Sequence, residues 1–152
     1  MLDLELIYRI INLLPMPVWV LLVFAPGARL TRQWVFSLRI HALLALIYGL
    51  LFCWAITKGP APAPDAFSTL SGLTSLFSSS LGVLVAWQHF LVFDLFVGTW
   101  IARHAQQQNP NPSLIRRGIL GGILMMSLMA GPIGFLLYFL FYYRSENQLN
   151  DV

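Results

Sequence analysis

Ala86-Trp87-Gln88-His89-Phe90-Leu91-Val92-Phe93-Asp94-Leu95-Phe96-Val97-Gly98-Thr99-Trp100 is apolar enough to enter a bilayer, yet it carries an imidazole and a carboxyl group. A carboxylate at the middle of a membrane helix costs about 2.5 to 3.5 kcal/mol on insertion scales, so such a residue marks a functional site by default. At 100° per residue, Trp87, Phe90, Leu91, Asp94, Gly98 and Ile101 share one helix face, whereas His89, Phe96, Trp100 and Arg103 share another. Both faces cannot point at lipid. The pattern predicts a helix at the centre of a bundle, or one that borders a cleft.

Working outward, the chain has 152 residues, room for one domain. Hydrophobic residues make up 58% and charged residues 10%, against about 25% charged in a soluble domain. This composition reads as a membrane protein whose first partner is the lipid bilayer. The net charge is +3, but the basic residues are scattered and border apolar runs. They read as topology signals rather than a nucleic-acid surface. The single cysteine, Cys53, lies in an apolar run. It excludes a disulfide framework and a thiolate metal site, and is expected to be a small core residue. The N-terminal run follows Asp3 and Glu5, with no basic segment before it and no small-x-small site after it. It is expected to be a transmembrane helix, not a signal peptide.

Crossing the hydrocarbon takes about 20 mostly apolar residues. Four windows qualify: Leu4 to Phe24, Val35 to Ile56, Leu81 to Ile101 and Gly118 to Tyr143. The sequence therefore predicts an all-α integral membrane bundle of four transmembrane helices, one domain over residues 1–152. Ala25-Pro26-Gly27 breaks the chain after the first window, and Gly59-Pro60-Ala61-Pro62-Ala63-Pro64-Asp65 forms a stiff connection after the second. Ser68 to Ser80 fits a short interfacial helix, and Ala105 to Ser113 a solvated loop with His104 at its edge. Arg29, Arg32, Arg39, Arg103, Arg116 and Arg117 gather on one side. Arg9, Lys58 and Arg144 stand on the other, partly offset by Asp3, Glu5, Asp65, Glu146 and Asp151. The positive-inside rule then places both termini outside the cytoplasm. Arg39 and Arg103 are expected to snorkel to the interface.

Proline breaks the first and last windows near mid-membrane, at Pro15-Met16-Pro17 and Gly131-Pro132-Ile133-Gly134. Each removes a backbone hydrogen bond. Groups freed at that depth are re-satisfied by protein or water, so such breaks read either as packing kinks or as cavity walls. On the second helix Ser37, His41, Ala45, Tyr48 and Phe52 form a stripe. His41 and Asp94 lie about 9 and about 13 Å from the cytoplasmic ends of their helices, which predicts that they touch. His89 sits higher, within expected reach of Arg9 or Asn12. Trp87 is deep enough to line a site, whereas Trp19, Trp34, Trp54 and Trp100 fit an aromatic belt.

Three readings of Asp94, His89 and His41 stay open. They form a structural network that fixes helix register, or they move protons on a lipid-soluble substrate, or they hold a metal as two histidines and a carboxylate. The i, i+5 spacing of His89 and Asp94 argues against the last, and no metal ligand is assigned. No cofactor motif identifies a cofactor. Gly118-x-x-x-Gly122 permits close helix approach, and a transport role would require a homo-oligomer.

Phe77-Ser78-Ser79, Ala86-Trp87-x-His89, Asp94-Leu95-Phe96, Pro132-x-Gly134 and Ala25-Pro26 together resemble the neoxanthin-synthase-like family, the abscisic-acid-deficient-four proteins of plants and their bacterial relatives. Trp-x-His-x4-Asp-Leu-Phe is the most specific part of the likeness. The resemblance implies an apolar isoprenoid or carotenoid-type ligand that enters from the bilayer, and an isomerase in which an epoxide opens as a proton leaves the polyene. By motif it places that chemistry on His89 and Asp94. Taken with the helix pattern, the expected polar centre is Asp94, His89 and His41, with Trp87, Tyr48, Pro132 and Tyr138 as the ligand-binding residues. It further implies a bacterial relative in the plasma membrane. Where this chain has Tyr138 and Thr99, the family pattern has a histidine and a basic residue nearby. The competing expectation is a membrane scaffold or accessory subunit without catalysis.

Overall fold

The computed structural model describes residues 3–59 and 61–143. These form seven α-helices: α1 Leu4–Leu13, α2 Met16–Phe24, α3 Arg39–Lys58, α4 Leu70–Leu76, α5 Ser80–Gln108, α6 Leu114–Met129 and α7 Gly131–Tyr138. Single π-helical segments occupy Thr31–Val35 and Phe139–Tyr143, and the described residues contain no strand. Hydroxyl side chains begin several of these elements. Ser79 accepts from the Gly82 N–H at the start of α5, Thr69 from Gly72 at α4, and Ser113 from Arg116 at α6, each satisfying a donor the first helical turn leaves orphaned.

Three helices are long and apolar enough to cross a membrane: Leu4–Phe24, Arg39–Lys58 and Ser80–Gln108. Their surfaces agree with that reading. Phe24, Leu43, Leu46, Leu50, Ile56, Phe90 and Phe93 are all exposed, a density of bare apolar side chains that lipid tolerates and water does not.

The first and third spans run in the same direction. Asn12 meets Trp87, Trp19 meets Gly98 and Gly27 meets Gln106. The second runs against them, with His41 beside Thr99, Tyr48 beside His89 and Gly59 beside Leu81. The 25–38 and 109–113 connections therefore share one end, rich in arginine, and the 59–79 connection lies at the other with the start of α1.

The fourth expected span, 118–143, is corrected by the structure. It is two helices divided at Ala130, and they fold back on each other. A Cβ on Gly134 would collide with Ser127, and Tyr142 stands with Arg117 and Leu120. Along α5, Gly131 lies at Asp94, Phe135 and Tyr138 at Trp100, and Tyr143 at His104. So α6 climbs about 24 Å from the arginine-rich end, turns at the level of Asp94, and α7 returns beside α5. The described residues begin at one end of the bundle and reach Tyr143 at the other. Arg144, Glu146 and Asp151, used in the expectation that both termini lie outside the cytoplasm, lie outside the described residues.

The two proline breaks differ for a reason visible in the backbone. Leu14 and Pro15 keep helical dihedrals, φ −56°, ψ −44° and φ −77°, ψ −17°, so the axis only kinks. Ala130 is extended, φ −159°, ψ 86°, so the axis reverses.

Packing concentrates at the arginine-rich half. Val18, Trp19, Leu22, Leu95, Ile101, Ala102, Leu124 and Tyr138 belong to one core, built on α5 with α2, α6 and α7 around it. A smaller cluster of Ile11, Leu51 and Leu84 ties α1, α3 and α5 at the other end. Trp19, expected in the aromatic belt, is only 3% exposed. Its ring fills the space that a Cβ on Gly98 would need. Cys53 is exposed on α3 rather than in the core. Ahead of α3, Leu38 takes a left-handed backbone, φ 63°, which costs about 1 to 2 kcal/mol for a residue with a Cβ. The neighbouring Phe36 carbonyl is held by Arg103 Nη1 at 3.2 Å.

Candidate functional site

Six residues of α5, from Ala86 to Leu91, separate the two clusters, and on the α3 side of this region the packing opens. A cavity of about 380 Å³ lies between the second half of α3, the 59–79 connection with α4, and the first half of α5. Tyr48, Phe52, Ala55 and Ile56 of α3 line it, with Phe67, Leu73 and Phe77 of the connection and Leu81, Val85, His89 and Phe90 of α5. Its volume falls in the range of small-molecule sites. The short helix expected between 68 and 80 is present as α4 and forms one wall.

His89 is the imidazole of this cavity. Its ring lies 4.6 Å from Phe93, 5.7 Å from Tyr48 and 6.1 Å from Phe90, centroid to centroid. Tyr48 in turn stacks on Phe52 at 6.0 Å. Expected ligand-site residues His89 and Tyr48 are thus brought together. Neither Arg9 nor Asn12 is bonded to His89. Arg9 pairs with Glu5 at 3.1 Å, and Asn12 Oδ1 accepts from Trp87 Nε1 at 2.9 Å. Trp87 therefore ties α5 to α1 and does not line the cavity.

The expected contact between His41 and Asp94 is replaced by two separate arrangements. His41 is buried, its Nε2 3.0 Å from Thr99 Oγ1 and its ring edge-on to Phe96 at 6.1 Å. Asp94, half-buried, faces the hairpin tip. Its carboxylate lies against Gly131 and faces that residue's backbone N–H, and a Cβ at 131 would overlap Asp94 Oδ1. The reason is local. Pro132 has no N–H, and Ile133 and Gly134 both donate to the Ala130 carbonyl, so Gly131 carries the donor left over at the start of α7. A carboxylate at a helix N-terminus also complements the positive end of the helix dipole. His41, His89 and Asp94 occupy three places, and no group of three metal-ligating side chains forms among the described residues.

Tyr138 is fully buried, and its hydroxyl lies 2.7 Å from His104 Nδ1. His104, expected to be solvated at a loop edge, is instead inside α5, because that helix continues to Gln108. It stacks on Trp100 at 5.3 Å and lies tilted against Tyr143 at 5.2 Å. Pro132 begins α7 next to the Asp94 contact. Thr99, Gln88 and Ser127 are buried polar residues that composition did not single out. A polar residue on the innermost face of a helix, such as Gln88 and Thr99 in line with Leu84, Leu95 and Ala102, is the signal that marks them.

The comparisons with known proteins agree with the resemblance read from the motifs. The chain is 32% identical over 87 residues to Protein ABA DEFICIENT 4, chloroplastic, of Arabidopsis thaliana, an alignment covering 53% of this chain and 39% of that protein. It thus spans about two fifths of the curated relative's length. No solved structure matches. The family model described as ABA DEFICIENT 4-like matches residues 6–138, which takes in the three long helices, the cavity and nearly all of the hairpin. The chain belongs to the ABA DEFICIENT 4-like family.

Proposed function

We propose that this protein lies in a bacterial plasma membrane as three spans and a re-entrant hairpin, and that the α3–α4–α5 cavity takes one end of an elongated isoprenoid or carotenoid-type ligand. The observation that carries the reading is the cavity's make-up: aromatic and aliphatic walls with one imidazole, His89, and one phenol, Tyr48. A site of this kind binds an apolar body and meets it at few polar points. With the arginine-rich end on the cytoplasmic side, the cavity opens in the outer half of the bilayer.

For an epoxide-bearing ligand, the chemistry implied by the family is an isomerisation. The C–O bond breaks as its oxygen takes a proton, and a C–H bond of the neighbouring chain gives a proton to a base. The product is an isomer, with no oxidant or reductant consumed. His89 is the group placed to move a proton, in surroundings that exclude water. Tyr48 orients the ligand's oxygen. Asp94 and His41 serve the fold that holds this wall.

The test is organic extraction and mass spectrometry of the protein purified in mild detergent, with Ala55→Trp to fill the cavity and His89→Ala to remove the imidazole. The parent and His89→Ala are expected to retain an isoprenoid that Ala55→Trp loses, with turnover of an epoxycarotenoid absent in both variants. Equal retention by Ala55→Trp would overturn the assignment. Harm concentrated at Gly118 or Gly122, beside which no side chain stands within 4 Å, would favour the scaffold role instead.

A further inference from the structure

The arginine-rich end holds a second concavity, unrelated to the apolar one. It measures about 460 Å³ and is lined by Arg32, Phe36, Ser37, Arg103, Gln106 and Gln107, with Pro110 at its edge. Two guanidiniums and two carboxamides therefore converge where the 25–38 connection meets the last turns of α5. Arg103 spends Nη1 on the Phe36 carbonyl, which fixes its direction and leaves the rest of its donor fork facing the concavity. Gln106 is fixed likewise, its Nε2 donating to the Pro110 carbonyl at 3.1 Å.

Among the described residues no carboxylate answers these cations. Of the described acids, Asp3 and Glu5 cap and flank α1 at the opposite end, Asp65 sits in the 59–79 connection with Thr69, and Asp94 is at mid-depth against Gly131. The ion pair formed among the described residues is Arg9 with Glu5. Arg29, Arg39, Arg116 and Arg117 add positive charge around the same end. A guanidinium fork matches a phosphate bidentately, and basic pockets at the cytoplasmic ends of membrane helices suit anionic head groups. The concavity lies at the level where α5 leaves its apolar stretch, where a lipid phosphate lies.

We propose that this concavity is a binding site for the phosphate of an anionic phospholipid, held by Arg32 and Arg103 with Gln106 and Gln107 around it. The lipid fastens the 25–38 connection to the end of α5 and braces the adjoining left-handed turn at Leu38.

Native mass spectrometry of the full chain released from detergent tests this, with phosphatidylglycerol, phosphatidylcholine or inorganic phosphate added in separate arms. Arg32→Gln and Arg103→Gln are the test variants, and Arg9→Gln at the opposite end is the control. Phosphatidylglycerol is expected to bind in preference to phosphatidylcholine, about fivefold more weakly in either test variant, and unchanged in Arg9→Gln. Because Arg103 also holds the Phe36 carbonyl, Arg32→Gln decides the matter should Arg103→Gln misfold. Equal retention of the two lipids, or phosphatidylglycerol held equally by Arg32→Gln, overturns the site. Inorganic phosphate bound without phosphatidylglycerol overturns the lipid as its source. None of these outcomes depends on what fills the α3–α4–α5 cavity.

Discussion

Asp94 shows how one residue's role turns on its neighbour. Read on its helix, a carboxyl group in an apolar run is a candidate acid; in the folded chain it faces the Gly131 N–H at the start of α7. Capping and catalysis predict different substitution series. If the carboxylate caps, Asp94→Asn keeps an accepting oxygen and is expected to melt close to the parent, whereas Asp94→Ala loses about 0.5 to 2 kcal/mol. Gly131→Ala, whose Cβ would overlap the carboxylate, is expected to cost about 1 to 3 kcal/mol through overpacking. Thermal unfolding in detergent checks all three. A folded Asp94→Asn that retains its ligand but turns over nothing would return the acid role to Asp94. At His89 the expectation is the reverse: this ring touches the cavity and no core residue depends on it, so His89→Ala is expected to leave the melting temperature within about 0.5 kcal/mol equivalent of the parent.

Among the elements, the α6–α7 hairpin matters most. A helix that stops at mid-membrane exposes orphan backbone groups, tolerable only where protein buries them. Here α5 supplies that cover along its length, from Asp94 at the tip to His104 near the base. Small residues let the two arms close, Gly134 against Ser127, in the manner of small-residue membrane packing. The hairpin makes a topological prediction. In a Cys53→Ser background, Asn111→Cys and Phe141→Cys are expected to react with a membrane-impermeant maleimide from the same side, and Ala63→Cys from the other. Labelling of Phe141→Cys from the side of Ala63→Cys would make 118–143 a full span after all.

Taken whole, the molecule has its packed core at the arginine-rich half and a looser half opposite, which holds the apolar cavity. Such an arrangement suits a ligand that arrives from lipid, because few contacts must break to admit it. The exposed apolar faces of all three long helices predict that the protein stays with the membrane fraction through alkaline carbonate washing and is released by detergent. Release by carbonate alone would contradict the spanning reading.

The sequence by itself determined the membrane class, three of the spans, the motif Trp87-x-His89 with Asp94-Leu95-Phe96, and through it the family. These rest on composition, run length and local spacing, which a linear chain displays in full. Only the tertiary structure decided that Pro15 kinks a helix while Pro132 follows a reversal, since a proline fits either and the outcome depends on the backbone beside it, helical at Leu14 and Pro15 but not at Ala130. Only it separated His41, His89 and Asp94, because equal depth along two helices does not fix the angle at which their faces meet. It also moved Trp19 into the core against Gly98 and gave His104 a partner in Tyr138, since contacts between distant segments follow from how the helices turn toward one another, which periodicity along one helix does not contain.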